Sequence, residues 1–162
     1  MPEMTALGWF HTVLGVLSLI AGLLSFVQFK LIAWTHRPGQ IYLVCTLITA
    51  LSALGIYNQG GFGVAHILAL LTLGGVLVGT AAEKWRLFGG LSPYLQAISY
   101  SATFLFHMIP AITDGLMRLP IGDPVVTSIE DPLLRGFYLA FLVTYLLGAA
   151  LQVVYLRRLS AT

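Results

Sequence analysis

The sequence predicts an all-α integral membrane bundle of five transmembrane helices, and three observations carry that prediction. Apolar residues make up 58% of the chain, charged residues only 9%, and the mean hydropathy is +0.91, whereas soluble domains are about one-quarter charged. Five apolar stretches, at residues 7–29, 40–57, 63–82, 94–117 and 133–156, approach the roughly 20 residues a helix needs to cross the hydrocarbon core. They are continuously apolar rather than alternating, which argues against strands, because only a closed barrel satisfies strand backbones in lipid.

Polar punctuation separates the stretches. His36-Arg37-Pro38-Gly39 ends the first connection, Asn58-Gln59-Gly60-Gly61 forms the second, and Glu83-Lys84-Trp85-Arg86 with Gly89-Gly90 and Ser92-Pro93 forms the third; such residues favour turns. The fourth connection, residues 118–132, is the longest and carries Pro120, Pro124 and Pro132. Its end reads as a helix start, with Asp131 as N-cap and Pro132 at the first helical position, where a missing N–H costs nothing. The first apolar stretch has neither a preceding basic region nor a clear small-residue cleavage site after it, so it is expected to remain as a span. The 162 residues give room for a single membrane domain, 1–162.

Orientation follows from charge, since Lys and Arg are enriched in cytoplasmic connections. Lys30, Arg37, Lys84, Arg86, Arg157 and Arg158 fall on one side, six of the eight basic residues. Arg118 and Arg135 fall on the other, with Glu3, Asp114, Asp123, Glu130 and Asp131, five of the six acids. Both counts place the N-terminus outside and the C-terminus in the cytoplasm. Trp9, Tyr57 and Phe62 at the outer edge and Trp34, Trp85, Tyr94 and Tyr155 at the inner edge suit the headgroup level.

The lipid bilayer is therefore the expected partner. A net charge of +2, with no basic run longer than Arg157-Arg158, excludes nucleic acid. Cys45, alone in an apolar stretch, builds neither a disulfide nor a cysteine zinc site within one chain and reads as a packing residue. Gly8, Gly15 and Gly22 recur at seven-residue spacing with Ser18 and Ser25 beside them, and Gly75 and Gly79 form a GxxxG pair. Small residues of this kind let helices approach closely in lipid. They serve internal packing of the bundle or, alternatively, a homodimer contact.

Ionisable groups at membrane depth default to functional candidates. His11 and His66 each lie about one turn into their spans from the outside, and His107 lies roughly 20 Å up the outward-running fourth span, so three histidines share one leaflet. His36 sits at the cytoplasmic edge as an interfacial residue. Tyr100, His107 and Asp114 are spaced by seven and share approximately one helix face. Pro110 between them can bend the helix. Glycines flank His11 and precede His66, and Tyr57 and Asn58 close the second span on the same side. These positions predict that His11, His66 and His107 meet in a pocket open to the outside, with Asp114 at its rim and the 118–131 loop as a lid.

Such a pocket suits a divalent metal on His11, His66, His107 and Asp114, or a b-type haem held edge-on between imidazoles, or only hydrogen-bonded packing. The function read from it is haem or metal binding for electron transfer. The alternatives are a non-enzymatic structural, assembly or transport component whose histidines pack or handle protons, and a metal-dependent membrane hydrolase. No His-Glu-x-x-His, serine-nucleophile or phosphate-loop motif occurs, so no catalytic residue is assigned.

His36-Arg37-Pro38-Gly39-Gln40-Ile41-Tyr42 resembles the His-Arg-x-x-Gly-x-x-Tyr-like junction of small bacterial multi-span membrane proteins of unknown function. Phe106-His107-Met108-Ile109-Pro110, running on to Arg118-Leu119-Pro120-Ile121-Gly122, is similar to the Phe-His-x-x-Pro … Thr-Arg-Leu-Pro-x-Gly segment of the same group. The similarity covers about residues 30–125. Pro38 before the glycine departs from the pattern, as do Asp114, Gly115 and Met117 where that group carries a Thr-Glu-Thr-Leu-Thr stretch. The resemblance implies a membrane protein and an importance for His107; it implies no reaction.

Overall fold

Local donors and acceptors fix most of the long helix starts among the described residues. The computed structural model describes residues 4–57 and 61–160; Glu3 and Asn58-Gln59-Gly60 of the second connection lie outside the described residues. Thr5 caps α1 (Ala6–Phe29), its hydroxyl accepting from the Gly8 N–H at 3.1 Å. His36 caps α2 (Arg37–Ala53), its Nδ1 accepting from the Gly39 N–H at 3.2 Å while its ring stacks on Phe29 at 4.0 Å. α3 spans Val64–Trp85, and α4 (Ser92–Arg118) follows a single 3-10 turn at Gly89–Leu91. α5 (Pro132–Ser160) begins as its sequence indicates, with the Leu133 N–H donating to Asp131 Oδ1 at 2.8 Å. The described residues contain no strand.

The second helix differs from the 40–57 span expected for it. Because His36 caps it and Pro38 fits the first turn, it begins at Arg37. It stops at Ala53, giving 17 residues, roughly 26 Å at 1.5 Å per residue. Four helices, α1, α3, α4 and α5, are long and apolar enough by themselves to cross a membrane.

The His36–Gly39 run is also a packing device. A Cβ on Gly39 would strike the Ala33 carbonyl oxygen and lie 2.8 Å from the Ala33 nitrogen, so only glycine lets α2 start this close to the chain that feeds it.

Packing joins α1 to α2, α2 to α3 and α3 to α4, and contacts between α1 and α4 close the ring. α5 lies outside it against α4, and 6% of its apolar window is buried, compared with 33% for α3. The ring closes tightly where side chains are missing. A Cβ on Gly75 would sit 2.6 Å from Thr103 Cγ2, one on Gly79 would enter the Tyr100 ring, and one on Gly22 would lie 2.7 Å from Tyr42. The GxxxG pair is thus used within the chain, between α3 and α4.

Buried hydroxyls pair across these seams. Ser18 meets Thr46 at 2.6 Å. Thr103 donates to the Tyr100 carbonyl at 2.7 Å and accepts from the Tyr42 hydroxyl at 2.7 Å. Glu83 gathers the end where α1 finishes and α4 begins. Its Oε1 accepts from the Trp34 N–H at 2.8 Å and its Oε2 from the Tyr100 hydroxyl at 3.2 Å. Trp34 Nε1–H donates to Thr80 Oγ1 at 3.1 Å, which stands 3.2 Å from the same Tyr100 hydroxyl. Glu83 lies in the last turns of α3 rather than in a connection, and it ties the 30–36 segment to α3 and α4.

Candidate functional site

At the opposite end, where α1 begins and α4 finishes, α1 and α4 part around a cavity of about 940 Å³. Helix geometry explains its position. Gly15 removes a side chain from α1, and Pro110, within α4, lies on the wall beside Ala111. Trp9, Val16, Leu19 and Met117 complete an apolar lining, and Leu119, Ile121, Gly122 and Pro124 of the 119–131 connection lie against it. The polar members are His11, Thr12, Thr49, His107, Asp114 and Arg118.

The histidines divide. His11 Nδ1 lies 3.0 Å from the Thr49 carbonyl oxygen and 3.1 Å from Ser52 Oγ. A carbonyl only accepts, so Nδ1 carries the proton and Nε2 keeps the lone pair of the neutral ring. His107 is 8% exposed, with the Tyr42 ring edge-on at 6.3 Å, and its Nε2 is buried without a partner among the described residues. Thr49 Oγ1 is in the same state. A buried polar atom left unpaired costs about 1–3 kcal/mol. A smaller space of about 60 Å³ runs between His11, Thr49, Thr72 and His107, polar and roomy enough to hold water.

His66 is elsewhere. Its Nδ1 accepts from the Gly63 N–H at 3.1 Å, closing the first turn of α3, and its ring lies between Tyr57 at 4.7 Å and Phe62 at 5.0 Å. Gly63, expected to make space around the imidazole, is instead its hydrogen-bond donor. His66 lines neither cavity. Equal depth does not bring it to the other two, because it occupies the start of its own helix. Among the described residues no group of three or more His, Cys, Asp or Glu side chains is placed to hold a metal ion.

Asp114 stands at the rim, 55% exposed, with its Oδ1 3.7 Å from Arg118 Nε. Tyr100, two turns below His107, turns to Glu83 and takes no part. Arg118, Leu119, Ile121, Gly122 and Pro124 line the cavity; the sequence marked Arg118 as a charge and as the start of the loop expected to cover the opening, without a place of its own in the site. The spacing of four between Asp114 and Arg118 was the available signal. Family models, curated proteins and solved structures contain no match to this chain.

Proposed function

We propose that this chain is a five-span protein of the bacterial cytoplasmic membrane, N-terminus outside and C-terminus inside, that holds an amphiphilic small molecule in the cavity between α1 and α4. The single observation that carries this reading is the cavity itself. Its volume lies within the roughly 300–1,000 Å³ of small-molecule sites, and it combines apolar walls with a few convergent polar groups. α2 counts as the fifth span because it packs between α1 and α3 and its length reaches the lower limit of about 17 residues for a crossing. The charge asymmetry supports the orientation, and the resemblance to small bacterial multi-span proteins supports the compartment. The cavity then opens on the outer side.

The tautomer of His11 favours a second reading. With Nδ1–H held by Thr49, Nε2 keeps its lone pair, and His107 faces the same cavity from another helix, so these two residues would be the ones to hold a b-type haem. Bound haem would supply one-electron chemistry.

Native mass spectrometry of the full chain purified in a non-ionic detergent separates these readings. An adduct of amphiphile mass is expected in the wild type and is expected to be lost in Ala111→Trp, which fills the cavity. A Soret band that shifts on reduction and disappears in His11→Ala and His107→Ala would put haem in its place. A colourless protein without an adduct, or one whose adduct survives Ala111→Trp, contradicts both.

A further inference from the structure

His11, Thr49 and His107 line both the cavity of about 940 Å³ and the space of about 60 Å³ beside it, so the two meet at these side chains. Thr49 is 2% exposed and His107 8%, and Thr49 Oγ1 and His107 Nε2 have no hydrogen-bond partner among the described residues. His11 adds a lone pair on Nε2, because its Nδ1–H is held by the Thr49 carbonyl. Phe106 also lines the small space. Its carbonyl lacks the usual helical donor, since Pro110, four residues on, has no N–H.

These groups discriminate among heads. His11 Nε2 and the Phe106 carbonyl only accept, so an occupant gains most by bringing a donor. The Thr49 hydroxyl donates or accepts, and His107 Nε2 does either according to its tautomer. A hydroxyl group answers all of them, because it donates one proton and accepts on two lone pairs. An ether or ester oxygen only accepts and leaves His11 Nε2 unmatched. A carboxylate has the same fault and adds a charge, and an ammonium donates but is charged as well. None of the side chains at this end carries a fixed charge, and a charge taken out of water without an opposite one is costly. The acid on the lining, Asp114, stands at the rim, 55% exposed and beside Arg118.

Building on the amphiphile reading above, we infer that the occupant is an uncharged amphiphile headed by a hydroxyl group, which donates to His11 Nε2 and accepts from the Thr49 hydroxyl. His107 Nε2 completes the set in the tautomer the head requires. The apolar chain lies between α1 and α4.

The test uses the full chain in phosphatidylcholine nanodiscs, whose lipid has no hydroxyl head, with four dodecyl probes: the alcohol, its methyl ether, the carboxylate and the amine. Retention is measured by mass spectrometry as the excess over nanodiscs without protein, at equal probe content of the bilayer. The alcohol is expected to exceed each of the others about tenfold, the loss that follows from leaving one buried acceptor unpaired. His11→Phe should bring alcohol and ether level. Thr49→Val should reduce the preference about threefold, and Thr49→Ser should keep it, which separates lost recognition from lost folding. Equal retention of alcohol and ether, higher retention of the amine or carboxylate, or a preference that survives His11→Phe overturns the hydroxyl inference and leaves the cavity reading standing. No excess of any probe, or an excess unchanged by Ala111→Trp, means that water alone serves these atoms and overturns the cavity reading as well.

Discussion

Gly39→Ala is expected to lower the melting temperature of the purified chain by roughly 6–12 °C, from an overpacking cost of about 3 kcal/mol at about 2–4 °C per kcal/mol for this chain length. The new methyl group would meet backbone, the Ala33 carbonyl oxygen and nitrogen, rather than the end of a flexible side chain. Ala33 has nowhere to retreat. Its segment is tied by Ser25 donating to the Leu31 carbonyl at 2.9 Å, Gln96 to the Ile32 carbonyl at 3.2 Å and Gln40 to the Trp34 carbonyl at 2.8 Å. Gly136→Ala is the control, since a Cβ there meets nothing within 4 Å. Equal melting temperatures for the two variants would mean that the close passage of α2 past Ala33 is wrong.

Glu83→Leu is expected to cost about 2–3 kcal/mol, because it strands the Trp34 N–H and removes the acceptor of the Tyr100 hydroxyl, while hydrogen bonds to a charged group are worth about 1.5–3 kcal/mol. Burying a leucine on a half-buried site returns little of this. Glu83→Gln keeps the size and one acceptor oxygen and should lose less than half as much. Trp34 emission provides a second readout, isolated in a Trp9→Phe, Trp85→Phe background. It should shift to longer wavelength in Glu83→Leu as the 30–36 segment loosens. Unchanged stability and emission would show that Glu83 does not fasten that segment.

The helical membrane class and the start of α5 were legible because they follow from local rules: apolar length, and an Asp-Pro pair at a helix start. The End of α2 was not, because apolar residues continue beyond Ala53 and nothing in the composition marks where the backbone leaves the helix. Depth along a helix placed His11 and His107 correctly at one end, but it carries no information about rotation or about first-turn capping, and His66 is committed to both its cap and its flanking rings. Glu83 could have been noticed as the single acid on the predominantly basic side. Its partners, Trp34 and Tyr100, lie 49 and 17 residues away, a tertiary pairing that no local pattern announces. The glycine spacing revealed that helices approach closely, and only the packing shows that α4 is the neighbour of Gly75 and Gly79.

The most direct test of an outward-opening cavity on α1 and α4 is labelling of intact cells with a membrane-impermeant thiol reagent, using single cysteines in a Cys45→Ser background. Gly115→Cys, at the cavity wall where a Cβ meets nothing within 4 Å, and Asp123→Cys in the following loop are expected to react from outside, and Arg86→Cys only after lysis. Reaction at position 86 in intact cells, or an unreactive position 115 beside a reactive position 123, would contradict the account.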